Sequence, residues 1–466
     1  MTDRRLLPLA CTPLLIAGTG LPATVAAQAP KSVSAQVVLL DTEGWGMGGS
    51  GTPIPSQALI DAISERYLMP ASPLFPGQPI FPVDSVHPLF TPEGLYPLTG
   101  VKSLVLDQSL AQGVQILDHT IKERLALGHD LVVVGGSQSS TLASLEMRNL
   151  LALPPDQIPT SDQLSFVLLV DPSNPNGGLL SRFGDPSLPE LSIPSIGVTF
   201  SGATPSETPW DTAIYNMEYD GFSDFPRYPL NFLADLNAVL GIAFVHGTIP
   251  YLTDEQIAQS VLLPVSDGYA GNTDYFMIPT ENLPLLELLR AVPFLGDPLA
   301  DLVQPALRVL INLGYGSIEN GWDPGPADLS TPFGLFPTNI DLGDVLTALG
   351  NGVEQGWNDF INDLGSLPSL PEALANSASV LDTFAGGVNA FSADLSTLYS
   401  TLLPITDLVN AMLTTLPAYN ISLFAQELAA GDPLDALLMP LAADTGLVTA
   451  GIGIGALSVL SALMSL

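Results

Sequence analysis

Cysteine is almost absent from this chain. Cys11 is the only one among 466 residues, so neither an intrachain disulfide framework nor a thiolate metal site can hold the fold together. Cations are nearly as scarce. Twelve Lys and Arg stand against 47 Asp and Glu, a formal net charge of -35. Nucleic-acid binding needs clustered Lys and Arg to neutralise phosphates, so that class of partner is excluded. No Lys, Arg or His follows Arg308, which denies the C-terminal third a basic patch for anionic lipid headgroups. Metal and cofactor motifs are missing too. There is no HExxH, no paired-histidine or cysteine-rich pattern, and no G-x-G-x-x-G in a strand–helix setting. No cofactor is expected.

What is present suits a large folded domain. Hydrophobic residues make up 47% of the chain and charged ones 13%, too apolar for general disorder and ample for a core. The first residues read as a signal peptide. Arg4 and Arg5 precede an apolar run from Leu6 to Ala23, and small residues follow, with cleavage expected after Ala27. The alternative is an uncleaved N-terminal anchor.

Gln36–Leu40 has strand composition and leads into the glycine-rich run Gly44–Gly51, read as a loop. Residues 57–68 read as helical. Leu110, Val114, Leu117, Ile121 and Leu125 share one face of a helix over 109–126. Leu131–Val134 is a short buried strand, followed by Gly135-Gly136 and a helix at 139–151. Further strands are expected at 165–170, 196–200, 213–219 and near 274–278. Apolar strands alternating with helices predict an α/β domain with a mainly parallel central sheet over about 36–320.

After Gly321 the composition shifts to Leu, Ala, Asp, Pro and Gly. Residues 321–445 form a partly helical extension, with helical periodicity at 343–363 and 388–403. Thr445–Leu466 carries no charge and is long enough to cross a bilayer at about 1.5 Å per residue. No flanking cation supports an anchor. The segment 446–466 is therefore either a membrane-associated helix or one buried in the protein itself.

The chemistry centres on Gly135-Gly136-Ser137-Gln138-Ser139. Strand, sharp turn and helix make a nucleophile elbow, in which the residues two before and two after the serine must be small. Ser139 stands where the strict pattern has Gly. A plain Gly-Ser turn after a strand is the competing reading. A serine hydroxyl needs a base to take its proton, and in an α/β-hydrolase the order is Ser, then Asp or Glu, then His. Of the four histidines only His246 follows Ser137, whereas His87, His119 and His129 precede it. The acid then lies between the two. Asp220, after a later strand, leads Asp224 in the same loop and Asp171 at the end of the first strand past the nucleophile. For the oxyanion, the expected donors are the backbone N–H groups of Gln138 and of Ser50 in Gly48-Gly49-Ser50-Gly51. No Walker lysine follows that loop, which argues against phosphate binding.

These residues carry a family resemblance. Gly48–Pro53, Gly135–Ser139, Asp171-Pro172, Tyr219-Asp220-Gly221-Phe222, Asp224–Pro229, His246-Gly247, Ile278-Pro279-Thr280 and Leu283–Leu286 occur in order. Over roughly 45–315 the chain resembles the PE-PPE domain of mycobacteria and related actinobacteria. That resemblance implies a cutinase-like serine α/β-hydrolase with a triad at Ser137, Asp220 and His246 and an oxyanion loop at Ser50. It also implies an exported enzyme acting on acyl esters or glycolipids of the cell envelope. Such an enzyme is either an esterase or, in the form that has a signal peptide and no PE or PPE module, an acyltransferase that builds acylated trehalose lipids. A catalytically silent, lipid-binding envelope protein is the alternative from another class.

Overall fold

The computed structural model describes residues 41–464, apart from 101, 189 and 367–394. The signal-peptide reading and the strand expected at Gln36–Leu40 lie outside the described residues.

The strands are β1 (Thr42–Gly46), β2 (Ser85–Pro88), β3 (Asp130–Gly136), β4 (Leu164–Leu169), β5 (Ser192–Ile193), β6 (Val198–Thr199), β7 (Thr212–Met217), β8 (Val261–Leu262) and β9 (Thr273–Ile278). Among the described residues seven of them form one sheet in the order β2-β1-β3-β4-β7-β9-β8. Every neighbouring pair is parallel except β8 with β9. The helices are α1 (Gln57–Ile63), α2 (Leu106–Leu127), α3 (Gln138–Leu151), α4 (Leu179–Arg182), α5 (Phe232–Phe244), α6 (Asp254–Ile257), α7 (Pro284–Arg290), α8 (Gly296–Asn312), α9 (Leu342–Ser366), α10 (Leu395–Ala430) and α11 (Pro433–Met464).

The two-residue period of the strands builds the two faces of the core. From β3, Leu131 and Val133 join one apolar cluster, while Val132 and Val134 join the other. From β4, Phe166 and Leu168 divide from Val167 and Leu169 in the same way. Leu110, Leu117 and Ile121 of α2 and Leu142 and Met147 of α3 cover the first face. Tyr67, Val245 and Ile249 cover the second. Each fully buried side chain of this size contributes about 1.5–3 kcal/mol, which is why strands buried on both sides read as unbroken apolar runs.

Two sequence expectations are corrected here. Gly44-Trp45-Gly46 lies in β1 and not in the glycine loop. Its glycines make room for neighbours: a Cβ on Gly44 would lie 2.9 Å from Val86 Cγ2, and one on Gly46 2.3 Å from Ile60 Cδ1. The strand expected at 196–200 does not enter the central sheet. Gly197 adopts φ +58°, which breaks the run, and only Val198–Thr199 pairs, antiparallel, with β5. Asp107 at the start of α2 ties this small hairpin down by accepting from the Thr199 amide at 3.0 Å and its hydroxyl at 2.9 Å.

The helix expected at 446–466 begins earlier, at Pro433. Its segment Pro433–Leu457 is long and apolar enough to cross a membrane by length and composition. In this structure it packs on α5 and α10. Ala442, Ala443 and Ala450 are buried together with Tyr419 and Leu423 of α10 and with Phe183 and Phe225.

Candidate active site

The parallel sheet delivers the reactive groups to the carboxyl ends of its strands. β3 ends at Gly136, Ser137 takes φ 58° and ψ -117°, and α3 begins at Gln138. A non-glycine residue held at positive φ is strained, and the strain lifts the serine out of both flanking elements. The turn tolerates no side chain at Gly135, where a Cβ would meet Ser139 O at 2.8 Å and Ser140 N at 2.9 Å. Ser139, the departure from the strict pattern, has a specific use. Its buried hydroxyl accepts from the Gly136 N–H at 2.8 Å, so the extra oxygen closes the turn where a glycine would leave that amide unpaired.

Ser137 Oγ lies 2.6 Å from His246 Nε2, and His246 Nδ1 lies 2.7 Å from Asp220 Oδ2. Asp220 sits three residues beyond β7 and its side chain is fully buried, while that of His246 is 13% exposed. The Asp220 carboxylate also accepts from the Ser223 hydroxyl at 2.6 Å and the Phe222 N–H at 3.1 Å. A carboxylate that accepts at Nδ1 fixes the proton there and leaves Nε2 as the acceptor for the serine hydroxyl. The Phe222 ring packs edge-on against the imidazole, with centroids 4.9 Å apart.

Backbone packing registers these parts. A Cβ on Gly241 of α5 would lie 1.9 Å from Tyr219 O, and one on Gly221 2.3 Å from Ala238 O. α5 therefore lies directly on the loop that holds Asp220, and two residues past its end the chain presents His246.

The other acids are placed elsewhere. Asp224 accepts from the Tyr219 N–H at 3.0 Å, and burial raises its pKa far above the usual carboxylate range. Asp171 accepts from the Ser173 N–H at 2.9 Å, and burial raises it to about 6. Neither bonds to His246. His87, on β2, bonds to Ser85 at 2.9 Å. His119 is 80% exposed and 3.7 Å from Glu123. His129 pairs with Asp41 at 2.5 Å.

Ser50 and Gln138 flank the serine. The glycine loop runs close to it, since a Cβ on Gly49 would stand 3.3 Å from Ser137 Cβ. As the first residue of α3, Gln138 has an amide N–H with no intrahelical acceptor. Its side chain clamps the loop: Ser50 Oγ donates to Gln138 Oε1 at 2.8 Å, and Gln138 Nε2 donates to Ser109 Oγ at 2.7 Å. Ser109, which also accepts from the Gly94 N–H at 2.8 Å, is a positioning residue that sequence reading missed. It sits on the buried face of α2 and no motif marks it.

Beside Ser137 opens an apolar cleft. Ser50, Ser137 and Gln138 form its polar end, and Leu95, Leu106, Leu180, Ile196, Phe200 and Phe222 line much of the rest. The small β5–β6 hairpin supplies Ile193 and Val198.

One group among the described residues, Asp41, Glu43 and His129, is close enough to share a cation. It lies at the starts of β1 and β3, the opposite end of the strands from Ser137. The Arg124 guanidinium bonds Glu43 and already supplies the positive charge there.

The sequence profile of the PE-PPE domain matches residues 82–316. The chain belongs to the PE-PPE domain family. Its relatives in Mycobacterium tuberculosis include the PPE family protein PPE28, 41% identical over 461 residues, covering 93% of this chain and 67% of the relative. The esterase PE16 is 39% identical over 399 residues, covering 83% of this chain and 70% of PE16. The diacyltrehalose acyltransferase Chp2 is 29% identical over 252 residues, covering 53% of this chain and 66% of Chp2. This PE-PPE chain thus spans roughly two thirds of the length of each. No solved structure matches it.

Proposed function

We propose that this PE-PPE protein is an exported serine esterase or acyltransferase that works on acyl esters of cell-envelope lipids. The observation that carries the reading is the continuous hydrogen-bonded line from Ser137 Oγ through His246 to Asp220, at 2.6 and 2.7 Å. The apolar cleft beside the serine suits an acyl chain. The names of PE16, an esterase, and Chp2, an acyltransferase, agree with acyl-ester chemistry in this family.

The chemistry follows from the geometry. Ser137 Oγ attacks the ester carbonyl carbon while His246 Nε2 takes the hydroxyl proton. Negative charge collects on the carbonyl oxygen, where the N–H groups of Gln138 and Ser50 stabilise it. Collapse breaks the bond to the alcohol, which leaves with the proton from His246, and the acyl group stays on Ser137. A second hydroxyl then gives its proton to His246 and attacks the acyl-serine, and Ser137 regains its proton. Water as that nucleophile makes an esterase, and a sugar hydroxyl makes an acyltransferase. Asp220 orients His246 and stabilises its cation throughout.

The test uses purified protein and Ser137→Ala with a p-nitrophenyl ester series, with and without trehalose or an acyl-trehalose. Serine-dependent release with a new acyl sugar identifies an acyltransferase, and release of free acid alone identifies an esterase. No release, or release unaffected by the substitution, rejects the proposal and brings forward a silent lipid-binding role.

A further inference from the structure

The C-terminal helix α11 does more than cover the domain. Leu447, Ala450, Gly451 and Ile454 line the cleft that contains Ser137. Their spacing of three, four and seven residues places them on one face of the helix. Two glycines on the flank of that face seat the helix at close range. A Cβ on Gly446 would lie 2.8 Å from the Phe183 ring and 3.0 Å from Pro229 Cβ, and one on Gly453 would lie 2.1 Å from Val239 Cγ1 of α5. Asn420 of α10 donates to Asp444 of α11 at 2.8 Å, which fixes the register of the helical pair.

From this placement we infer that α11 is the wall of the acyl-chain subsite and sets the acyl length the enzyme accepts. The inference rests on the esterase or acyltransferase reading above and deepens it. The ligand is an aliphatic acyl chain, because this side of the cleft offers only aliphatic and glycine surface. Ala450 and Gly451 are the smallest residues on the lining face, so volume added there is taken from the chain. Leu447 is the reverse case, where truncation adds space. The charge-free composition of 445–466, which in sequence resembles a membrane span, is what a helix lining an acyl site requires on its inner face.

The experiment compares kcat/KM for acetyl and dodecanoyl p-nitrophenyl esters in the parent, Ala450→Phe and Leu447→Ala. Ala450→Phe is expected to lower the dodecanoyl-to-acetyl ratio at least tenfold, since one lost methylene contact alone changes selectivity about tenfold or more. Leu447→Ala is expected to shift the optimum toward longer chains. Unchanged ratios in both variants overturn the inference and leave the enzymatic reading intact. Binding of the fluorescent fatty acid cis-parinaric acid, measured in the same proteins, needs no turnover. If the parent proves inactive on every ester, the enzymatic reading fails. The subsite is then upheld by tenfold weaker binding to Ala450→Phe and rejected by equal binding.

Discussion

Replacing Asp220 by Asn isolates the part of the site that depends on one oxygen. In the parent, Oδ2 of Asp220 meets two groups, His246 Nδ1 at 2.7 Å and the Ser223 hydroxyl at 2.6 Å, while Oδ1 accepts from the Phe222 N–H at 3.1 Å. The amide of asparagine has one oxygen and one NH2. The Phe222 N–H has no other role and cannot rotate away, so the oxygen stays with it and the NH2 takes the place of Oδ2. Ser223 adapts by turning its hydroxyl to accept. His246 adapts only by moving its proton from Nδ1 to Nε2, and it then presents an N–H to Ser137 where an acceptor is needed. The volume is unchanged and all the polar atoms remain paired, so the melting temperature should stay within about 3 °C. Turnover should not. The wrong tautomer lowers kcat by about 10⁴-fold in a Ser-His-Asp site, or about 5.5 kcal/mol of barrier. Steady-state release of p-nitrophenol together with thermal unfolding reads both. Asp224→Asn should change kcat less than tenfold, because Asp224 bonds the Tyr219 amide and not the imidazole. An Asp220→Asn protein that is folded and keeps a tenth or more of parental turnover would refute the argument.

Other expectations follow from single contacts. Ser139→Gly removes the hydroxyl that accepts from Gly136 N–H and adds backbone freedom. Unfolding should show a loss of about 1–2 kcal/mol, while kcat changes only a few-fold. Glu93 is buried behind the glycine loop, where its carbonyl accepts from the Gly51 N–H at 2.8 Å, and burial raises its carboxyl from 4.5 to about 7. A carboxyl with a raised folded pKa binds a proton on folding, so its contribution to stability is intact below about 4.5 and lost as pH rises through about 7. Glu93→Gln should flatten the fall in melting temperature between those values. A residual slope should remain from Glu146, raised to about 7, and Asp171, raised to about 6, both by burial. Arg124→Ala leaves Glu43, which burial would otherwise penalise, without its guanidinium partner. It should lower the melting temperature and leave kcat unchanged, as the pair lies at the far end of the strands.

Local chemistry made much of the site legible in sequence. The strand Leu131–Val134, the paired glycines and the periodic helix after Ser139 predict the elbow at Ser137, because each signal is local and all three agree. Order and loop context single out His246, the one histidine after the serine and one beside a predicted loop. Asp220 leads Asp171 because the acid of this fold follows a later strand than the first past the nucleophile, and Asp224, the runner-up, stands only four residues further on. What sequence did not reveal depends on distant neighbours. Gly44 and Gly46 read as loop because the side chains that fill their space, Val86 and Ile60, are remote in the chain. The run 196–200 has strand composition, yet Gly197 at positive φ and the Asp107 contacts turn it into a short hairpin at the cleft. Ser109 looks like any polar position on α2 until Gln138 is placed against it. The apolar composition of α11 does not show that one of its faces packs on Val239 and Phe183, because those partners are remote in the chain.

The most direct test of the central claim is covalent capture of the nucleophile. The protein would be treated with an alkyl p-nitrophenyl phosphonate, which mimics the tetrahedral intermediate and reacts only with an activated serine, and the adduct mapped by peptide mass spectrometry. The account predicts one phosphonyl group per chain, on Ser137, with labelling slowed at least a hundredfold in His246→Ala. Labelling of another residue, or of Ser137 at the same rate without His246, would contradict it.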